Sequence, residues 1–389
     1  MKSLAELCEF IVDCEHKTAP IQEEGIPSIR TPNIGRGYFI LDGVNRVSDS
    51  TYDAWTRRAI PEFGDLILAR EAPVGNIAVI PKGLKCCLGQ RTVLMRPKQR
   101  EVDSDYLCFM LLTPALQGDL LGKSGGATVH HLNLKDIRAL PIPDLPELEQ
   151  QRKTASVIKA YDDLIETNRR RIVLLEESAR LLYREWFVSL RFPSYETAKF
   201  KAGLPEGWAK MALSDLAFIV MGQSPESKYY NNEGEGLPFH QGVSDFGDHI
   251  VCHKTYTTQA TRIAEAGDIL CSVRAPVGRL NLTCDKVAIG RGLSAMHSMA
   301  GHQSLLLYQL KALFVEEDMI GGGTIFASVT KKELFAQQLL QPDFETAAEF
   351  NRLVSEIDEQ VETLVMQNRL LVEARDSLLP KLMSGEIQV

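Results

Sequence analysis

The sequence has no CxxC pair, no run of eighteen apolar residues and no surplus of positive charge, and each absence closes a class of reading. Its eight cysteines are scattered, with Cys86 and Cys87 adjacent. That is the usage of reduced thiols in a cytoplasmic protein, not of a disulfide framework or a zinc site. Without a long apolar run, no membrane-spanning helix is expected. The opening MKSLAELCEF places Glu6 and Glu9 where a signal peptide needs an apolar core, so secretion is not expected either. The formal net charge of −8 speaks against a uniformly basic nucleic-acid binder, but the acid is local. Residues 344–389 hold 4 basic and 9 acidic residues, whereas residues 1–146 hold 17 and 18. Local basic faces therefore stay open to a polyanion.

Catalytic signatures are missing as well. The nearest approach to a phosphate loop, Gly118 to Ser124, has three residues between its glycines where the motif needs four. There is no GxGxxG between strand and helix, no HExxH, no GxSxG, and no Asn-Pro-Pro-aromatic or Asp-Pro-Pro-aromatic stretch of an amino-methyltransferase. His249, Cys252 and His253, with His240 upstream, cluster without paired ligand spacing and without a counterpart earlier in the chain, so no metal is expected. What remains is the pattern of a binder. With 389 residues, two or three domains are expected, and 44% hydrophobic with 24% charged residues fits a soluble globular chain.

What is present is a duplication. Gly64-Asp65-Leu66-Ile67-Leu68 matches Gly267-Asp268-Ile269-Leu270-Cys271, and Ala72-Pro73-Val74-Gly75 matches Ala275-Pro276-Val277-Gly278, both 203 residues apart. Leu88-Gly89-Gln90-Arg91 meets Ile289-Gly290-Arg291-Gly292 at 201, Gly125–Val129 meets Gly321–Ile325 at 196, and Asn168-Arg169 meets Asn368-Arg369 at 200. Ordered matches at near-constant spacing mark one unit used twice. Each unit opens with short apolar runs bounded by Gly and Pro, which is strand chemistry. Each closes with a glycine-free stretch of helical periodicity. In the first such stretch Ile158, Ile165, Ile172, Ala179 and Trp186 recur every seven residues, interleaved with Tyr161, Asn168, Leu175 and Leu182. In the second, Phe350, Ile357, Leu364, Leu371 and Leu378 recur likewise, interleaved with Val354, Val361, Asn368, Arg375 and Leu382. Sustained a/d patterning predicts coiled-coil helices, each about 54 Å long for 36 residues. The plainer alternative is two amphipathic helices packed separately on their own modules.

Two strand-rich modules, each followed by a long helix, resemble the specificity (S) subunit of type I restriction-modification systems over essentially the whole chain. The residues that carry the resemblance are the openings Asp13–Pro20 and Gly222-Gln223-Ser224-Pro225, the Leu204–Trp208 entry to the second module, the paired Gly-Asp and Ala-Pro-Val-Gly stretches, and Ile289–Gly292. The resemblance implies an α+β fold, with two pseudo-symmetric strand-rich target recognition domains separated by a pair of long antiparallel coiled-coil helices. It implies a target recognition domain over 1–146, a spacer helix over 147–192, a second recognition domain over 193–343 with a connector at 193–207, and a C-terminal spacer helix over 344–389. Each domain would read one half of a bipartite site in double-stranded DNA. The helices would hold the half-sites about one turn of B-DNA apart, roughly 34 Å, and dock two methyltransferase subunits. Two motor-nuclease subunits would complete the assembly. No cofactor is expected in this chain; S-adenosylmethionine, ATP and magnesium belong to the partner subunits, and no membrane is involved.

Within that reading, loop-borne polar residues are the candidates for DNA contact. In the first module these are His16, Lys17, Thr18, Arg30, Thr31, Asn33, Arg70, Gln90, Arg91, Lys123, Ser124, Thr128 and His130. In the second they are Gln223, Ser224, Lys228, Tyr229, Gln241, Arg274, Arg291 and Thr324. For each the plain alternative is a solvated or turn-capping polar residue. Gly75 and Gly278 are expected to shape tight turns that display Arg70 and Arg274, although Arg274 is one position out of the register of Arg70. The helix-pair seam is expected at Ile158, Ile165, Asn168, Ile172 and Leu175 against Ile357, Val361, Leu364, Asn368 and Leu371, with the two asparagines meeting. Two readings from other classes stay open: a helical scaffold whose modules bind protein or carbohydrate, and an enzyme with unrecognised nuclease or transferase chemistry.

Overall fold

A computed structural model of the chain describes residues 1–123, 131–320 and 328–389. It forms two compact units. The first joins Met1–Glu166 to Leu370–Val389, and the second is Thr167–Arg369.

In the first unit a four-stranded antiparallel sheet has the order Cys8–Asp13, Thr92–Pro97, Leu66–Ala69, Ile77–Val79. The strand Leu66–Ala69 reads as an unbroken apolar run because both of its faces are covered. Leu66 and Leu68 point into a core with Leu4, Val93, Met95 and the helix Ser104–Leu111. Ile67 and Ala69 point into a second core with Ile29, Ile80 and Leu94. That second core rests on a smaller sheet in which Ile26–Ile29 runs parallel to Cys87–Leu88. Burial raises the thiols of Cys8 and Cys86 to about 12, which keeps them protonated and inert.

The second unit repeats the plan. Its four-stranded sheet has the order Ala217–Met221, Leu293–Ser298, Ile269–Ser272, Leu280–Leu282. Leu237–His240 runs parallel to Val287–Ile289 in the companion sheet. The two Ala-Pro-Val-Gly stretches fold alike: each opens with a cis proline, and Gly75 and Gly278 take φ of 87° and 79°. Their amides close the turn onto Ala69 and Ser272, each at 3.0 Å.

Two long helices follow the strand-rich parts: a central helix Leu148–Tyr183, continued by a π turn to Val188, and a C-terminal helix Phe344–Met383. In the second unit they run antiparallel. Asn168 Nδ2 donates to Asn368 Oδ1 at 3.0 Å, Ile172 and Leu175 pack with Val361 and Val365, and Tyr183 meets Phe350 at 6.1 Å. Asn168 is 2% exposed. Further along, Phe350 is the hub of an aromatic cluster with Trp186, Phe187 and Tyr308. Trp208 joins it through Phe187 and donates its indole N–H to Asp343, the residue that caps the C-terminal helix. In the first unit Ala155 and Ile158 share a core with Leu379 and Leu382, and Arg375 Nη1 meets Asp162 Oδ1 at 2.7 Å. Of the remaining seam residues, Ile165, Val361 and Leu364 are buried, and Ile357 and Leu371 are half-buried.

Candidate nucleic-acid interface

In both units the two parallel strands end at a close crossing. Gly89 N donates to Ile29 O at 2.7 Å, and Gly290 N donates to His240 O at 2.8 Å. A Cβ on Gly89 would stand 2.9 Å from Ile29 O, and one on Gly290 would stand 2.6 Å from Gln241 Oε1 and 3.0 Å from its Cα. The crossing therefore requires glycine in each module, and it sets Arg30 and Gln90 side by side with the end of Cys8–Asp13 in the first, and Gln241 and Arg291 with the end of Ala217–Met221 in the second. The equivalence is residue by residue. Cys14 N donates to Thr92 O as Gly222 N donates to Leu293 O, and Arg70 N donates to Arg91 O as Val273 N donates to Gly292 O. Arg291 is thus the counterpart of Gln90, and Gly292 that of Arg91.

The first module wires this place with charge. His16 Nε2 lies 2.9 Å from Asp13 Oδ2, and Asp13 also accepts from Arg58 and stands 3.9 Å from Arg70. Arg70 Nη2 is 2.8 Å from His131 Nε2, His131 Nδ1 contacts Glu71, and Arg91 Nε is 2.8 Å from Glu71. Arg91 ends the series as an exposed guanidinium at φ 65°, with 59% of its side chain open. Arg70 does not fit the expectation of a displayed residue. Its side chain is 7% exposed, and Nε donates to Leu132 O at 2.7 Å, so it holds the loop end rather than facing outward. Thr31 is also buried, in the turn Thr31–Asn33. Asn33 spends its amide locally, accepting from Arg30 N at 3.1 Å and donating to Ile40 O at 3.1 Å. Lys17, Thr18, Arg30 and Lys123 are exposed, and Gln90 is half-buried. Ser124, Thr128 and His130 lie outside the described residues.

The second module wires the same place with neutral groups. Ser224 Oγ donates to Gln241 Oε1 at 2.7 Å and accepts from Arg291 N at 3.2 Å, while Gln241 O accepts from Gly292 N at 3.1 Å. Gln223, Gln241 and Arg291 are exposed around that knot. Lys228 pairs with Glu226 at 2.7 Å and lies over the ring of Tyr229. Arg274 is exposed beside a bridge to Ser328; Val273, 4% exposed, occupies the place of Arg70. Thr324 lies outside the described residues.

Arg58 and Glu71 escaped the sequence reading, Asp13 enters it only within the opening Asp13–Pro20, and His131 reads there, beside His130, as a binding-surface or packing histidine. No sequence signal joins these residues, since the links span 45 and 61 positions. The clustered histidines His240, His249 and His253 divide in two. His249 faces Glu176 at 3.3 Å, with burial holding its imidazole below the ordinary range. His240 and His253 contact each other at 3.1 Å. Among the described residues no group of three or more His, Cys, Asp or Glu is arranged to hold a metal ion, and no helix is long and apolar enough to cross a membrane.

Both units thus present polar loop residues at an equivalent strand crossing. Residues 1–177 match the family model described as the type I restriction modification DNA specificity domain. The chain is 29% identical over 338 residues to the putative type I restriction enzyme MjaX specificity subunit of Methanocaldococcus jannaschii, covering 84% of this chain and 79% of that one. It is 25% identical to the MjaIX specificity subunit of the same organism, covering 90% and 84%. The type I restriction-modification S subunit of M. genitalium shares the fold, with a TM-score of 0.62 at 16% identity over 98% of this chain and 95% of that one. The chain is therefore a relative of the specificity subunits of type I restriction-modification systems.

Proposed function

We propose that this protein is the DNA sequence-specificity subunit of a type I restriction-modification complex and has no catalytic role of its own. Each strand-rich module reads one half of a bipartite duplex site through the loop knot at its strand crossing. The long helices set the gap between half-sites and dock two methyltransferase subunits, which carry S-adenosylmethionine. Motor-nuclease subunits, two in the full assembly, bring ATP and magnesium. The observation that carries this reading is the repeat of one glycine-lined strand crossing flanked by polar loop residues, Arg30, Gln90 and Arg91 in one unit and Gln241, Ser224 and Arg291 in the other. Polar amides and guanidinium groups in loops at strand ends suit both base edges and phosphates.

The test is methylome sequencing of cells with and without the gene. The expected result is loss of adenine methylation at one bipartite motif. Exchange of residues 1–146 for another relative's module should then change only one half of that motif. Unaltered methylation on deletion would sink the proposal and return the scaffold reading.

A further inference from the structure

His240 directly precedes Gln241, and its ring is fully enclosed, at 0% exposure. The strand end that carries the loop knot therefore also carries this imidazole. His240 Nε2 lies 3.1 Å from His253 Nδ1, and His253 Nε2 lies 3.0 Å from Asp285 Oδ2 at the surface. On the other side, His240 Nδ1 stands 3.5 Å from Asp245 Oδ2 without completing a hydrogen bond. The neighbouring cations are engaged elsewhere, Lys254 on Ser244 O and Lys286 on Glu265. Four groups thus stand in a row, carboxylate, imidazole, imidazole, carboxylate. Filling the outer, inner and outer contacts takes three protons, and two neutral imidazoles supply two. The contact left open is the one at the buried end.

We propose that His240 and His253 form a proton-sharing pair that positions Gln241, so that the knot of the second module tightens when the pair takes up one proton from solvent. The proton arrives through His253, and the charge is balanced by Asp245 and Asp285. Burial holds the His240 imidazole below its ordinary range, so uptake belongs to the acid side of neutrality. The first module lacks the device, because Ile29, also 0% exposed, occupies the place of His240. The link to DNA reading rests on the function proposed above; the proton sharing does not.

The experiment is a DNA-free titration of the full chain from pH 8 to 5, with NMR signals from labelled histidine rings and glutamine side-chain amides. The expected result is one common transition in His240 and His253, and a Gln241 amide shift with the same midpoint. His240→Ile, which copies the residue of the first module, and His253→Gln should each abolish the Gln241 shift while the other histidines titrate unchanged. Independent transitions in the two rings, or a Gln241 amide that does not move, would overturn the proposal. So would disappearance of the common transition on adding EDTA, which would put a metal ion between the rings. Failure of the methylome experiment leaves all of these readouts intact, so the two ideas fall separately.

Discussion

Two arginines of the first module show how much a residue's surroundings decide. Arg70 is enclosed and linked to Leu132, His131 and Asp13, whereas Arg91 is open and pairs with Glu71. Arg70→Ala should cost roughly 1–3 kcal/mol in urea unfolding, since it takes the donor from the buried Leu132 carbonyl. Arg91→Ala and Arg291→Ala should stay within about 0.5 kcal/mol of wild type. On duplex DNA the order reverses: each exposed arginine removed should flatten the salt dependence by about one phosphate's worth. Unchanged slopes in both would take Arg91 and Arg291 off the DNA face. The crossing glycines make a second case. A methyl group at Gly89 runs into Ile29 O and the Arg30 side chain, and should cost roughly 1–3 kcal/mol. Gly290→Ala should instead displace Gln241 and weaken DNA binding more than folding, read by comparing melting with affinity. The loop candidates of the sequence reading were legible as residue types and not as environments. Nothing in the stretch around Arg70 tells that a carbonyl 62 positions away will take up its guanidinium.

At the scale of elements the sequence was far more readable, because heptads and the strand runs record burial directly. The asparagine pair stood out as a polar break at equivalent places of two apolar seams, and a lone amide there has one natural partner. Replacing Asn168 alone by Leu removes the donor to Asn368 Oδ1 and should cost roughly 1 kcal/mol. Replacing both should be neutral or stabilising, with faster amide exchange along the helices as register loosens. Equal losses in single and double variants would show that the pair does not act as a unit. The acid buried beside the aromatic hub was not legible. Asp358 is 8% exposed and accepts from Tyr308 at 3.3 Å. Burial raises its carboxyl above the ordinary range, against the opposing Ser304 and Lys311. The folded chain therefore binds this proton at higher pH than the unfolded chain does. Its contribution to stability rises as pH falls from neutral toward the ordinary carboxylate range. Asp358→Asn, already neutral, should be at least as stable as wild type at pH 7 and lose that advantage by pH 4.5, as thermal melts at the two values will show.

At the scale of the whole molecule, the duplication was plain in the sequence, but the way the chain is shared between units was not. The first unit is assembled from residues 1–166 and 370–389, and the second is one continuous stretch between them. This nesting has a consequence for the order of events during synthesis. The second unit has all of its parts once residue 369 has left the ribosome. The first must wait for the last twenty residues, and until then Ala155 and Ile158 lack the cover of Leu379 and Leu382. The half of the protein made first is thus the half finished last. Ribosome-bound chains stalled after residue 369, with an added tether to clear the exit tunnel, should resist protease across 167–369 and remain cleavable near 150–166. Equal protection of both regions at that length would contradict it. A nascent chain in this state offers an open helical seam to whatever helix comes by, including that of a second chain on the same message.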